Sequence, residues 1–189
     1  MHTAPMTSVT MGIRSMVKTV RGNDEIRPGQ RFKRFDRILE KLVRYPRMRL
    51  SQMEDIGGCR LVLPTIDGVY SVLGRIKHNW QDASVTDYIE TPKPDGYRGI
   101  HVIKRRGGRL VEVQLRTPGQ HAWAEAIEAS SPRVRFNLKD GEGPADLREY
   151  FKLASERIYR EEAGESQDSA AELAFATLRD QVAHYFASS

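Results

Sequence analysis

The feature that most constrains the fold is a pair of strand-like segments joined by a glycine-rich turn. Residues 99–104 and 109–116 alternate apolar and polar side chains, which is typical of β-strands, and Arg106-Gly107-Gly108 between them suits a tight hairpin. Two strands joined in this way run antiparallel as neighbours. We therefore expect a sheet with an antiparallel component in the middle of the chain.

The other predicted elements place this hairpin in a larger mixed sheet. Two further runs, 56–63 and 84–90, have the length and apolar content of strands. Apolar residues at helical spacing predict five helices, at 32–43, 67–80, 118–129, 147–158 and 173–185. This order indicates an α/β or α+β fold, with a mixed β-sheet flanked by helices and a helical C-terminal region.

Residues 1–30 differ from the rest of the chain. They carry few apolar side chains, show no sustained period and include Gly22, Pro28 and Gly29, so we predict a flexible or loosely docked N-terminal arm. The remaining length suits one domain with a helical appendage.

Positive charge is concentrated in the first third of the chain. Residues 1–60 contain 13 Lys and Arg against 6 Asp and Glu, whereas residues 61–189 contain 17 against 19. The local net charge of +7 favours a polyanionic partner, such as a nucleoside triphosphate or RNA. A solvated basic face without a partner is the alternative.

Membrane and disulfide-stabilised classes do not fit the composition. No segment approaches the roughly 20 apolar residues that a spanning helix needs, and the N-terminus lacks the basic and apolar regions of a secretory signal. Cys59 is the only cysteine, which excludes an internal disulfide and a multi-cysteine metal site. We therefore expect a cytoplasmic protein that does not associate with membranes.

The first candidate for chemistry is the segment 55–60 (DIGGCR). It places Asp55 at the start of a buried strand and Arg60 five positions later. A carboxylate there can hold Mg²⁺, which prefers oxygen ligands and keeps phosphates and waters in its remaining positions. For these six residues alone, an ordinary strand entry in which Asp55 satisfies turn amides is the simpler interpretation.

The second candidate is the alternating strand 111–116 (VEVQLR). Its two-residue period puts Glu112, Gln114 and Arg116 on one face. A solvated face with a Glu–Arg pair explains this equally well unless a second carboxylate lies beside Glu112, and Asp55 is the candidate. Two carboxylates from neighbouring strands can share a metal, and one of them can act as general base on a hydroxyl.

The third candidate is the loop 87–101 (DYIETPKPDGYRGIH). Two prolines and two glycines restrain its backbone. Lys93 offers a cation for a phosphate, and Tyr97 offers an aromatic ring for stacking on a base. This combination favours a site for a nucleotide acceptor.

Three strings, QMEDIGGCRLVL, DYIETPKPDGYRGIHVI and VEVQLRTPGQHAWAE, resemble in order and spacing the synthetase domain of the RelA/SpoT family. The resemblance covers about Arg31 to Glu125 and implies a nucleotidyltransferase-like mixed sheet. It implies a Mg²⁺-dependent enzyme that transfers the β,γ-pyrophosphate of ATP to the ribose 3′-hydroxyl of GDP or GTP, making (p)ppGpp. We therefore expect a synthetase domain over 31–135 and C-terminal helices over 136–189.

The resemblance also implies roles for individual residues. Asp55 and Glu112 match the Mg²⁺-associated acids, and Glu112 is also placed to activate the acceptor hydroxyl. ATP is expected at Arg31, Lys33 and Arg60, although the usual serine-containing continuation after Lys33 is absent. The acceptor is expected at Lys93, Asp95, Tyr97, Arg98, His101, Gln114 and Arg116.

Departures from the family leave alternatives open. Hydrolase activity is not expected, because no histidine is followed by aspartate and few residues precede Arg31. The segment 120–125 (QHAWAE) resembles a branch that includes toxins acting on the 3′ end of tRNA, so a toxin held by an antitoxin partner is one alternative. An inactive nucleotide-binding module is another. Many members have Asn at the position of Asp95; a carboxylate there favours guanine, or serves only an Asp-Gly turn.

The oligomeric state is also open. Several family members are tetramers, and the apolar stripe of the last predicted helix, 170–186, suits either a homo-oligomer or packing on its own domain. Packing on its own domain is the preferred interpretation.

Overall fold

The structure is a computed structural model that describes residues 2–20 and 25–187. It divides into two compact units. The sheet unit comprises Met1–Thr86 and Ile100–Arg116, and the helical unit comprises Asp87–Gly99 and Thr117–Ser189. This division departs from the boundary expected at residue 135, because the loop 87–99 and the helix after the last strand pack with the C-terminal helices.

A five-stranded mixed sheet is the basis of the sheet unit, and its strands are β1 (Gly29–Phe32), β2 (Gly57–Val62), β3 (Ser84–Asp87), β4 (Ile100–Arg106) and β5 (Arg109–Arg116). Their order is β1-β2-β5-β4-β3. Strand β2 pairs parallel with β5, whereas β1 with β2 and β4 with β5 are antiparallel. This confirms the predicted mixed sheet.

The helices of the sheet unit are α1 (Thr3–Lys18), α2 (Phe35–Arg44) and α3 (Ile66–Asn79), and those of the helical unit are α4 (Pro118–Val134), α5 (Ala145–Ala163) and α6 (Ser169–Val182). Short 3₁₀ helices lie at Leu50–Gln52, Leu138–Asp140 and Ala183–Tyr185. Within the described residues, no helix has both the length and the hydropathy that a membrane crossing requires.

The glycine turn between β4 and β5 has the predicted hairpin form. Gly107 and Gly108 have φ angles of 53° and 71°, so both occupy the left-handed region. Two successive residues in that region make the turn whose twist matches the flanking strands. Arg106 and Arg109 lie directly opposite each other at its ends.

Helix α1 corrects the prediction of a flexible arm. Met6, Val9, Ile13 and Val17 are buried along one face of the helix, which packs on the sheet and on α3. These positions follow a helical period that the Thr- and Ser-rich surroundings obscure, and the Thr10 hydroxyl donates to the Met6 carbonyl at 2.8 Å. Residues 1 and 21–24 of the predicted arm, including Gly22, lie outside the described residues.

Helix α2 starts later than predicted and exposes its apolar face. Phe32 ends strand β1, and the helix begins at Phe35. None of its apolar side chains is fully buried, and Phe35 is 73% exposed and Val43 78% exposed. The periodicity therefore identified the helix, while its apolar stripe contributes little to the core.

The helical unit has an aromatic core. Tyr97, Trp123 and Phe151 are buried together, and the Trp123 indole donates a hydrogen bond to the Phe151 carbonyl at 2.7 Å. Helix α5 ends at Ala163 and is capped by Gly164, whose φ of 70° is the left-handed conformation that terminates helices. The break predicted between the two C-terminal helices is thus confirmed.

Candidate functional site

Asp55 lies between two lysines at the entrance to β2. Its Oδ2 atom is 2.5 Å from Lys33 Nζ, and its Oδ1 atom is 3.1 Å from Lys41 Nζ. Pairing of β1 with β2 brings Lys33 to this position, since the Lys33 amide donates to the Ile56 carbonyl at 2.9 Å. Burial opposes ionisation, but the hydrogen bond from Lys33 and the two lysine charges outweigh it and hold the pKa of Asp55 below its ordinary value.

Glu112 lies at the centre of a polar row on β4 and β5. Its Oε1 atom is 2.8 Å from His101 Nδ1, and its Oε2 atom accepts from Gln114 Nε2 at 2.7 Å. Gln114 in turn accepts from Arg116 Nη2 at 3.0 Å. Glu112, Gln114 and Arg116 therefore share a face, as the alternation predicted. Arg116 is 4% exposed and reaches this row through Gln114.

Opposing influences set the ionisation of Glu112. Burial raises the pKa of this carboxyl, and the nearby charge of Asp55 raises it too. The hydrogen bond and charge of His101, together with the hydrogen bond from Gln114, outweigh both and keep the pKa of Glu112 below its ordinary value. The row is therefore arranged to hold Glu112 as a carboxylate.

The two acids line one small cleft of the sheet unit, and the other residues around it are Arg31, Gly58, Cys59, Arg60 and Gln114. The parallel pairing of β2 with β5 places Gly58 opposite Glu112. A Cβ atom at Gly58 would lie 2.5 Å from the Glu112 backbone oxygen. The absence of a side chain at Gly58 therefore allows the two strands to meet beneath the cleft.

Three of the residues predicted for the acceptor lie close together in the helical unit. The Lys93 ammonium lies 4.6 Å from the centre of the Tyr88 ring and 5.0 Å from that of Tyr97. Asp95 Oδ1 accepts from the Tyr97 amide at 2.9 Å, and burial raises the pKa of Asp95. Tyr97 is only 6% exposed and packs against Tyr88 and Trp123. Its ring is thus part of the core of this unit.

Arg98, which was predicted to contact the acceptor, is engaged within the helical unit. The side chain is 8% exposed, its Nη2 atom lies 2.5 Å from Glu156 Oε2, and its Nη1 atom donates to the Ile89 carbonyl at 2.6 Å. The guanidinium also lies 4.2 Å from the centre of the Tyr159 ring. Arg98 therefore joins the loop to α5. Its partners are far away in the sequence, so the loop alone did not reveal this role.

Lys41 belongs to the site although the sequence did not identify it. It is on α2, eight positions after Lys33, and its only distinguishing signal was membership of a segment rich in basic residues. Only the tertiary structure shows which of these basic residues pairs with the Asp55 carboxylate. Arg31 and Arg60, which were predicted, lie at the same cleft.

The donor set of the cleft fits a magnesium ion that arrives with phosphates. Mg²⁺ commonly uses one or two protein carboxylates and fills its other positions with phosphate oxygens and water. Asp55 and Glu112 supply two such groups. Within the described residues there is no cluster of three or more acidic, histidine or cysteine side chains that could hold a metal without such help.

Residues 30–132, more than half of the chain, match the region found in RelA / SpoT proteins. A guanosine-3′,5′-bis(diphosphate) 3′-pyrophosphohydrolase from Aquifex aeolicus is 35% identical over 126 residues, which are 65% of this chain and 17% of that protein. The GTP pyrophosphokinase YwaC from Bacillus subtilis is 29% identical over 141 residues, which are 67% of this chain and 65% of that protein. The chain thus spans less than two thirds of the length of either relative.

The fold also resembles a solved structure. Small alarmone synthetase 1 from Bacillus subtilis, bound to its product pppGpp, superposes with a TM-score of 0.69 at 21% identity, covering 96% of this chain and 94% of that one. Identity at this level shows a shared fold. Together with the match over residues 30–132, it places the chain in a family: this protein belongs to the RelA/SpoT family.

Proposed function

We propose that this chain is an ATP-dependent pyrophosphokinase that transfers the β,γ-pyrophosphate of ATP to the ribose 3′-hydroxyl of GDP or GTP, and that it does not hydrolyse the product. The observation that carries the proposal is the pair Asp55 and Glu112 at one cleft, with Arg31 and Arg60 beside them. The name of the GTP pyrophosphokinase relative supports the same reaction class.

The basic residues of the cleft account for donor binding. Arg31, Lys33, Lys41 and Arg60 provide four cations, enough to neutralise most of the charge of a triphosphate. A triphosphate competes with Asp55 for the two lysines, so its binding frees the carboxylate oxygens. Asp55 and Glu112 would then hold Mg²⁺, which when bound neutralises charge on the phosphate oxygens.

Glu112 serves as the general base in this mechanism. The acceptor 3′-oxygen attacks the β-phosphorus, the bond from the β-phosphorus to the α,β-bridging oxygen breaks, and AMP leaves with that oxygen. The proton of the 3′-hydroxyl passes to Glu112, which His101 and Gln114 hold as a carboxylate. Phosphoryl-type transfer depends mainly on positioning and charge neutralisation, so a weak base suffices.

Each unit contains side chains that are candidates for contact with the acceptor. In the helical unit, Lys93 and Asp95 offer charge and a hydrogen-bond acceptor, and stacking of a base on Tyr97 requires the Tyr88–Tyr97 pair to open. In the sheet unit, His101, Gln114 and Arg116 form the polar row around Glu112, where they orient the ribose and phosphates. Arg98 is not assigned a contact with the acceptor, because its two Nη atoms already contact Glu156 and the Ile89 carbonyl.

A second candidate is a toxin that pyrophosphorylates the 3′ end of tRNA and is held by an antitoxin. The observation in its favour is the exposed basic surface around α2, formed by Arg34, Arg37, Arg44, Arg47 and Arg49. Contacts of this kind bind a phosphate backbone without reading its sequence. The first candidate needs no such surface, which makes the two distinguishable.

Incubation with γ-labelled ATP, Mg²⁺ and one acceptor at a time tests these proposals. GDP, GTP, ATP and deacylated tRNA are compared, with Glu112→Gln protein as the inactive control. We expect label on GDP and GTP. Label on tRNA alone would replace the first candidate by the second, label on ATP alone would contradict both, and no label on any acceptor would leave an inactive nucleotide-binding module.

A further inference from the structure

Helix α2 presents a row of apolar side chains to solvent. Phe35, Leu39 and Val43 follow one another at intervals of four positions, so they lie on one face of the helix, and we call this row the α2 ridge. These residues are 73%, 47% and 78% exposed. Ten large apolar residues are exposed in the described part of the chain, and six of them lie between residues 32 and 50. Such a concentration of exposed apolar surface marks an interaction site.

The α2 ridge is separate from the side of the helix that faces the cleft. Ile38 and Leu42 are half-buried, and Lys41 Nζ lies 3.1 Å from Asp55 Oδ1. At 3.6 residues per turn, Lys41 lies about 120° or more around the helix from each residue of the ridge. The contacts that hold α2 at the cleft therefore leave the ridge in solvent.

Positive charge surrounds the α2 ridge. Residues 31–50 contain eight Lys and Arg against two acids. Both acids are already paired with arginines: Asp36 Oδ2 lies 3.0 Å from Arg34 Nη2, and Glu40 Oε2 lies 2.8 Å from Arg37 Nη1. The apolar row is thus bordered by an excess of cations, which attracts a partner of opposite charge.

Only some partners can use both the apolar row and the cations. A phosphate backbone would contact the arginines and leave the apolar side chains in water. An anionic bilayer would bring its phosphates against Asp36 and Glu40, and ten helical residues make a short anchor. A second copy packed ridge to ridge would bring two basic surfaces together. A protein segment with an apolar stripe and acidic flanks has none of these conflicts.

We propose that the α2 ridge docks an acidic amphipathic helix of a partner protein, whose apolar stripe covers Phe35, Leu39 and Val43 and whose carboxylates face the surrounding arginines. Helices that bind in this mode lay apolar side chains at helical spacing on a complementary surface. The apolar contact supplies affinity, and the charges orient the partner and speed its association. Because Lys41 belongs to the same helix, the partner contacts the element that helps to compensate Asp55. The proposal holds for any reaction at the cleft.

Fluorescence anisotropy with labelled peptides of about 18 residues, five turns of helix, tests this surface on the full chain. The acidic probe has leucines at helical spacing, with glutamate and alanine elsewhere. One matched probe has lysine in place of glutamate, and the other has the acidic composition with its leucines scattered around the helix. We expect the acidic probe to bind about tenfold more tightly than either, and added NaCl to weaken its binding, because salt screens exposed charges.

Variants of the ridge show where the acidic probe binds. Phe35→Gln and Val43→Gln introduce a polar residue with good helix propensity. Each should weaken binding by about tenfold, the loss expected when one apolar side chain leaves the contact. Arg47→Gln, which removes an exposed arginine that forms no ion pair with the described residues, should weaken it by about threefold at low salt. Leu173→Gln, at a 71% exposed residue of α6, is the matched control and should bind as the wild type does.

Thermal unfolding verifies that each variant is folded. No binding of the acidic probe, equal binding of the acidic probe and either matched probe, or wild-type affinity in both ridge variants would overturn the inference. Self-association of the wild type that Val43→Gln abolishes in sedimentation velocity would instead assign the ridge to a second copy. Binding to phosphatidylglycerol vesicles or to tRNA that both ridge variants lose would assign it to lipid or to RNA, and would likewise overturn the inference.

Discussion

Lys33 Nζ lies 2.5 Å from Asp55 Oδ2, and this contact ties the proposed donor-binding cations to the proposed metal-binding acid. Lys41 holds the other oxygen of the same carboxylate at 3.1 Å. The two lysines therefore compensate the charge of Asp55 without ligand. In the proposed mechanism, a triphosphate would draw the two lysines from the Asp55 carboxylate to its phosphates, so that the lysines and Asp55 take part in the same binding step.

Lys41→Ala should weaken donor binding more than it slows transfer. We expect the KM for ATP to rise by about tenfold, because a charge-assisted hydrogen bond to a phosphate is lost, while kcat changes less. Lys77→Ala, which removes an exposed lysine of α3, is the control. Steady-state kinetics with ATP varied at saturating acceptor measures this. An unchanged KM would show that Lys41 only balances Asp55.

Asp55 should make the stability of the protein depend on pH. Its folded pKa lies below the ordinary value of 3.8, so its contribution is present above about pH 4 and is lost as the pH falls through the lowered folded value. We expect Asp55→Asn to be less stable than the wild type at pH 7 and the difference to shrink towards pH 3. Urea unfolding at a series of pH values measures it. A difference that stays constant with pH would contradict the assignment.

Gly58→Ala should distort the cleft and destabilise the sheet. The new Cβ atom would lie 2.5 Å from the Glu112 backbone oxygen, so β2 and β5 must separate, at a cost of about 1–3 kcal/mol. Because this separation displaces Glu112, the rate of pyrophosphate transfer should also fall. Gly74→Ala is the matched control. Gly74 lies on the exposed side of α3, and a Cβ atom there would meet no side chain within 4 Å, so alanine should stabilise the protein by about 0.5–1 kcal/mol. Equal behaviour of the two variants would refute the close packing at Gly58.

Asp95→Ala should weaken binding of GDP by about tenfold with a smaller effect on ADP. A side chain that makes two hydrogen bonds to one base edge discriminates between bases by about this factor. Asp95→Asn keeps an oxygen for the Tyr97 amide and so controls for the shape of the loop. Calorimetry with both nucleotides provides the comparison. Equal losses for GDP and ADP would show that Asp95 maintains the loop and does not read the base.

Glu162 stabilises the start of α4. It accepts from the Thr117 hydroxyl at 2.6 Å and from the Gly119 amide at 2.9 Å, so Glu162→Ala leaves the buried Thr117 hydroxyl without its acceptor. We expect a loss of about 1–3 kcal/mol in the free energy of unfolding. Glu161→Ala, which removes an exposed carboxylate one position earlier, should be neutral. Urea unfolding of both variants measures the difference. Equal unfolding midpoints for the two variants would contradict the role of Glu162 in stabilising α4.

Features that depend on local periodicity could be predicted from the sequence. The hairpin at Gly107 and Gly108 and the common face of Glu112, Gln114 and Arg116 follow from residues that are neighbours in the chain. Their geometry is set by turn chemistry and by the two-residue period of a strand.

Features that depend on distant partners could not be predicted. Arg98 is held by Glu156, 58 positions later, and Lys41 meets Asp55, 14 positions later. Helix α1 was missed for another reason: its buried residues are separated by threonines and serines that favour other local structures, and packing against the sheet outweighs that preference.

The most direct test of pyrophosphate transfer is the fate of the two outer phosphates of ATP. ATP labelled at the β-phosphorus and, separately, at the γ-phosphorus is incubated with the protein, Mg²⁺ and GDP, and the nucleotide products are separated. We predict that both labels reach the acceptor in equal amounts and that AMP forms in a one-to-one ratio with the product. Accumulation of ADP with only the γ label on the acceptor, or no labelled acceptor at all, would contradict the account.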